Sequence, residues 1–233
     1  MFSAEQPLRI MPLGASNTQG MAVDPQSPGG YRGPLQAMLA AGGVPFDFVG
    51  SLRGGAIADP DHEGHGGMTI DWYAQALDPT TGRTRVEALL DANPADVVLL
   101  LVGTNDVNGG DSAETMIAEM VQLLRLIDDH PADPAVFVMK LQPLGPQLPV
   151  SPLRAETGNE VIERYNTMLG TLVGYTGSDA RVVDMLATSD DLSPDGIHLN
   201  AAGYLRAAAA WDQAIDEWLV GGGAGQPGDF WMS

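Results

Sequence analysis

Asp96-Val97-Val98-Leu99-Leu100-Leu101-Val102-Gly103-Thr104-Asn105-Asp106 decides how this chain folds. Residues 97–102 are apolar without alternation, so a strand here needs cover on both faces, and a glycine followed by polar residues stops it abruptly. Four further short apolar runs have the same character: LRIMPLG ending near Gly14, FDFVGS near Ser51, AVFVMKL at Leu141 and RVVDM near Met185. Helical patterns lie between and after them, over residues 31–41, 83–92, 113–129, 156–175 and 201–220. The fourth places Val161, Ile162, Tyr165, Met168, Leu169 and Leu172 on one stripe. Asp111 followed by Glu114 predicts a reciprocal cap at the start of the third. Alternating strands and helices predict an α/β fold with a five-stranded parallel sheet in a three-layer, doubly wound arrangement.

A length of 233 residues suits one such domain, here assigned to residues 1–220, with the glycine-rich stretch 221–233 as a flexible tail in which Phe230 and Trp231 stand out. Two irregular segments, 51–71 and 142–153, are long for a compact domain, and loops of that kind tend to be functional. Eleven Lys plus Arg against thirty Asp plus Glu give a formal charge of −19, which argues against nucleic acid and anionic membranes as partners. Lys140 is the only lysine, a composition compatible with a salty environment. There is no cysteine, hence no disulfide, thiolate metal site or cysteine nucleophile. No apolar stretch is long enough for a membrane span, so membrane insertion is not expected. The opening residues lack a basic segment followed by an apolar one, so the chain as given reads as cytoplasmic, or as secreted with a leader removed. The sequence leaves oligomeric state open.

In an open parallel sheet the site forms beyond the carboxyl ends of the strands, where strand order reverses. Gly14-Ala15-Ser16-Asn17-Thr18 follows the first strand, Gly64-His65-Gly66-Gly67-Met68-Thr69 the long loop after the second, Gly103-Thr104-Asn105-Asp106 the third and Ser193-Pro194-Asp195-Gly196-Ile197-His198 the fifth. Together these supply the parts for acyl transfer. Ser16 is a weak nucleophile that needs a base, His198 can be that base, and Asp195 three residues earlier can fix its tautomer and orientation. The oxyanion needs donors, for which the amides of Ser16 and Gly67 and the side-chain amide of Asn105 are the candidates. Asp106 reads as a helix cap. The run from Asp61 to His65 looks like a metal cluster but lacks the helical histidine spacing of zinc hydrolases, so no metal is expected, and His62 and His65 read as surface or substrate-contact histidines. His130 reads as a cation near a helix C-terminus.

These four ordered blocks resemble the SGNH hydrolases, also called GDSL-type esterases and lipases, from Leu8 to about Tyr204. The departure is Ala15, where the family carries an acid beside its serine, which predicts altered hydrogen bonding in that turn with catalysis retained. The resemblance implies a flavodoxin-like fold and ester hydrolysis with no metal or organic cofactor. Glu63 to Ile70 and the Gly29-Gly30-Tyr31-Arg32 segment are similar to acetylxylan esterases of the third carbohydrate esterase family, which implies a small ester or acetylated carbohydrate as substrate. Tyr31, His65, Met68 and Trp72 are the residues expected to line a substrate groove, with core packing the competing role. The alternatives on this scaffold are a lysophospholipase or thioesterase, a flavin or phosphate binder, and a non-catalytic carbohydrate-binding relative.

Overall fold

The computed structural model describes residue 2 and residues 6–20, 28–145, 152–172 and 180–222. Residues 146–151 of the proline-rich loop, 173–175 of the fourth expected helix and the tail from 223 onward, with Phe230 and Trp231, lie outside them.

The stretch around Val97 to Val102 forms β5 (Val97–Leu101), buried along its whole length. Its neighbours are β1 (Leu8–Gly14) and β6 (Ala135–Met139), both parallel to it, and β7 (Arg181–Val183) pairs with β6 in parallel. On the other side of β1 two strands share one edge. β2 (Phe46–Phe48) pairs with Leu8 to Ile10, and β4 (Asp61–Gly64) takes over at Leu13 and Gly14. The five expected strands are therefore all present, in an order where the chain moves outward from β1 one way and then returns to continue the other way. That reversal between β1 and β5 opens the crevice the sequence reading relied on.

The sheet has seven strands rather than the five expected. Both additions come from segment 51–71, where β3 (Leu52–Arg53) runs antiparallel to β4. These strands are short, and β4 reads Asp-His-Glu-Gly, so no apolar run announces them.

Helices cover the sheet in two groups. α2 (Arg32–Ala41) packs on α8 (Ala201–Val220), whereas α3 (Ile70–Ala74), α4 (Arg85–Ala92), α5 (Thr104–Gly109), α6 (Ala113–Asp128) and α7 (Pro152–Leu172) pack among themselves. The one-turn α1 (Ser16–Gln19) sits at the end of β1. Leu8, Ile10, Leu13, Leu99, Leu100 and Phe137 from the strands are fully buried between the helix layers, each contributing about 1.5–3 kcal/mol of burial. The cap of α6 is Ser112, whose side chain accepts from Thr115 N, and not Asp111 as the spacing suggested. Among the described residues no helix is long and apolar enough to cross a membrane.

Candidate active site

The turn that carries Ser16 is made by contact with β5. Gly14 lies so close to that strand that a Cβ on it would stand 2.1 Å from the carbonyl oxygen of Leu101, so only glycine fits. The chain then leaves the sheet: Ala15 N donates to Leu101 O (3.2 Å), and Ala15 O accepts from Thr18 N and Gln19 N, which coils residues 16–19 into α1. Arg32, fully buried, holds the far end of that turn. Its Nε donates to Thr18 O, its Nη2 to Gln19 O and Gly54 O, each at 3.0 Å, and its Nη1 to Pro60 O at 2.9 Å. Burial lowers the Arg32 pKa, and nearby Tyr31, Asp59 and Asp61 oppose that. Tyr31 corrects an expectation: it is wholly buried, its hydroxyl donates to Thr18 Oγ1 (3.3 Å), and burial pushes its pKa up to about 12, so it packs the core and lines no groove.

His198 arrives from the loop after β7. Asp195 Oδ1 accepts from Ile197 N (2.9 Å) and His198 N (3.0 Å), folding residues 195–198 into a tight turn. Its Oδ2 accepts from His198 Nδ1 at 2.7 Å, and His198 Nε2 stands 2.9 Å from Ser16 Oγ. With the Nδ1 proton directed at the Asp195 carboxylate, Nε2 presents its lone pair to the Ser16 hydroxyl. Burial acts to raise the Asp195 pKa, but bonds from His198 and the two backbone amides outweigh it and keep the carboxyl below its ordinary value. Asp195 stays an anion, able to stabilise an imidazolium. His198 and Asp195 are both partly exposed, so the pair opens toward solvent.

The oxyanion candidates meet through sheet register. Gly14 pairs with Gly64, and His65 N donates to Gly14 O (2.7 Å), which lays the glycine loop beside the serine turn. Asn105, in the first turn of α5, donates from Nδ2 to Met68 O (2.8 Å), so Gly67 is held between one neighbour tied to β1 and another tied to Asn105. Gly67 has φ of +83° with open space where a Cβ would be. Its glycine therefore serves backbone conformation, and the residue is exposed. Asp106 does cap a helix, but across the chain: its Oδ1 accepts from Ile70 N at the start of α3 (2.9 Å).

The histidines around this loop differ from the sequence reading. His62 is buried, its Nδ1 accepts from Gly64 N (2.9 Å), and burial, aided by repulsion from Arg32, pushes its pKa down to about 3. It is a neutral core histidine rather than a surface one. His65 is half-buried, with Nε2 on the buried Glu63 Oε2 (2.9 Å) and its ring 5.1 Å from that of Trp72. Trp72 also meets Tyr73 edge-on and carries the Arg85 guanidinium over its face. Met68 and Trp72 are partly buried against the core, which leaves part of each on the surface. His130 is buried; its Nδ1 accepts from Ala132 N and its Nε2 stands 3.1 Å from Asp91 Oδ1, so it links the chain after α6 to α4.

The Asp61 to His65 side chains do not converge on one point: Asp61 pairs with Arg53, His62 accepts from Gly64 N, and Glu63 and His65 bond each other. Among the described residues, the group whose donors could hold a cation is instead Asp106, Asp111 and Glu119, with one oxygen from each within 4.8 Å of the others. These are hard oxygen donors. Asp106 Oδ2 and Glu119 Oε2 are buried without a partner, and desolvation, with neighbouring carboxylates, raises Asp106 to about 6 and Glu119 to about 7. Protonation is thus the other way this group can be satisfied.

Sequence reasoning gave no individual role to three residues that build the site: Arg32, Glu63 and Asn17. Glu63 accepts from Ser51 N (2.5 Å) as well as His65, and Asn17 bonds the His198 loop. Charged groups that are buried have no periodic signature, so only their placement reveals them.

Residues 13–206 match the pattern of the GDSL-like Lipase/Acylhydrolase family. The chain is 29% identical over 241 aligned positions to a multidomain esterase of Ruminococcus flavefaciens, an alignment covering 94% of this chain but 30% of that protein. A family 3 carbohydrate esterase of Clostridium thermocellum superposes with a TM-score of 0.70 at 28% identity, covering 92% of this chain and 98% of that one. A carbohydrate esterase family 3 structure from Talaromyces cellulolyticus gives a TM-score of 0.73 at 23% identity, with 92% and 99% covered, a likeness of fold.

Proposed function

The chain belongs to the GDSL-like lipase/acylhydrolase family, and from that premise we propose that it hydrolyses short-chain carboxylic esters through an acyl-enzyme on Ser16, with acetylated carbohydrate as the substrate class. The observation that carries the reading is the unbroken hydrogen-bonded line from Ser16 Oγ through His198 to Asp195, at 2.9 and 2.7 Å. Ser16 Oγ attacks the ester carbonyl as His198 Nε2 takes its proton. The tetrahedral oxyanion is received by Ser16 N, Gly67 N and Asn105 Nδ2. His198 returns the proton to the leaving alcohol, and water then repeats the cycle on the acetyl-serine.

Support for an acetylated sugar comes from the likeness to family 3 carbohydrate esterases. The sequence carries no long amphipathic lid segment or extended exposed apolar run to receive a fatty chain, which favours a short acyl group. The test is acetate release from acetylated xylo-oligosaccharides, set against fatty-acid release from lysophospholipid and thiol release from an acyl thioester. The proposal expects the acetylated sugar to be turned over fastest, and Ser16→Ala to abolish the reaction with the fold retained. A larger kcat/KM on lysophospholipid or thioester would overturn the substrate assignment.

A further inference from the structure

Three consecutive side chains of the serine turn reach three different places. Ser16 Oγ meets His198 Nε2, and Thr18 Oγ1 accepts from the core hydroxyl of Tyr31. Between them Asn17, 5% exposed, points its Oδ1 at Leu199 N, the backbone amide next to His198, at 3.0 Å. The same oxygen lies 3.3 Å from the hydroxyl of Tyr204 on α8, which donates to it. Two adjacent rungs thus connect the turn to the His198 loop: Ser16 to His198, which must break and remake its bond in each half-reaction, and Asn17 to Leu199, which carries no exchanging proton.

The loop that receives the second rung is stiff. Leu199 pairs with Leu192 in an isolated antiparallel bridge, Ser193 N donates to His198 O (2.7 Å), and Ser193 Oγ donates to Leu199 O (3.1 Å). Holding Leu199 N therefore sets the position of the backbone from which the His198 ring projects. Residue 15, on the other side of Ser16, is a buried alanine whose methyl group offers no hydrogen bond.

We propose that Asn17 is a positioning residue whose side-chain carbonyl fixes the His198 loop against the serine turn, so that the base stays within reach of Ser16 through both half-reactions. This rests on the serine mechanism proposed above. A misplacement of roughly 1 Å costs on the order of 10²-fold in rate, so the expected effect falls on kcat. Substrate groups touch neither Asn17 nor Leu199 N, both buried, so KM should hold.

The experiment compares Asn17→Leu, close in volume but without an acceptor, Asn17→Asp, which keeps one, and Tyr204→Phe, which removes one donor and keeps the ring. Steady-state kinetics on p-nitrophenyl acetate would be run well below each variant's Tm, with circular dichroism to verify the fold. Asn17→Leu should lower kcat by 10- to 100-fold with KM within threefold, Asn17→Asp should exceed Asn17→Leu in kcat by at least fivefold, and Tyr204→Phe should lower kcat two- to fivefold. Folded Asn17→Leu with kcat within twofold of wild type, or Asn17→Asp no better than Asn17→Leu, would overturn the assignment. If Asn17→Leu fails to fold, Tyr204→Phe decides: unchanged kcat overturns the proposal. Ser16→Ala run alongside separates the two claims, because an active Ser16→Ala enzyme refutes the serine mechanism itself, whereas an inactive one with unaffected Asn17 variants refutes only the positioning role.

Discussion

Replacing Asp195 by asparagine changes one atom and should disable the base. In wild type, Oδ1 accepts from two backbone amides, Ile197 N and His198 N, while Oδ2 accepts from His198 Nδ1 at 2.7 Å. The asparagine can keep its carbonyl on the two amides, and its NH2 then faces Nδ1. That nitrogen must become the acceptor, the ring proton moves to Nε2, and Nε2 confronts Ser16 Oγ as a donor unable to take a proton. The alternative is to flip the amide. The wild-type tautomer returns, but NH2 now faces two N–H donors; leaving both unmet at about 1–3 kcal/mol each costs roughly 4 kcal/mol. Every 1.36 kcal/mol is tenfold, so this route alone implies a loss of about 10³, and losing the charge that stabilises the imidazolium takes it toward the roughly 10⁴ typical of such triad changes. The assay is kcat on p-nitrophenyl acetate, alongside Tm. Retention of a tenth or more of wild-type kcat by folded Asp195→Asn protein would refute the tautomer argument.

Asn105→Ala should lower kcat by about 10²–10³ if its free N–H serves the oxyanion, and a loss below fivefold would remove it from that role. Arg32→Lys replaces a fork that reaches four carbonyls with a point charge that cannot, at an expected cost of about 2–4 kcal/mol. At roughly 2–4 °C per kcal/mol for a chain of this size, Tm should fall visibly, and an unchanged Tm would contradict the structural reading of that cation. Glu119 titrates near 7 in the fold against an ordinary value of 4.5, so the proton it holds stabilises fully below 4.5, and that contribution is lost as pH rises through 7. Measured with a chelator present, Glu119→Gln should therefore come close to wild type near pH 4.5 and exceed it in Tm at pH 8. The same difference at both values, or a less stable variant at pH 8, would show that the carboxylate is needed as an anion.

The strands and helices with strong apolar pattern were legible in the sequence. β5 and the other four parallel strands β1, β2, β6 and β7 follow directly from short runs bounded by glycine, proline or aspartate, and α8 spans the residues its periodicity predicts. β3 and β4 were not, because an edge pair built from Leu-Arg and Asp-His-Glu-Gly depends on backbone pairing rather than on apolar burial. The spacing of Ser16, Asp195 and His198 was readable since the turn 195–198 is local and the serine turn ends a strand. The roles of Tyr31, His62 and Arg32 were not, since a polar side chain in sequence does not say whether it faces water or satisfies buried carbonyls. The high negative charge gave no hint of the site, which contains one carboxylate in direct contact with the base.

The proposed mechanism stands on Ser16 as nucleophile. Incubation with a p-nitrophenyl phosphonate, followed by intact-mass and peptide mapping, tests that directly. One adduct on the peptide containing Ser16, forming in step with loss of esterase activity and absent from His198→Ala protein over the same interval, is the predicted result. Full inactivation with the adduct on another residue, or a Ser16 adduct on protein that still hydrolyses ester at the wild-type rate, would contradict it.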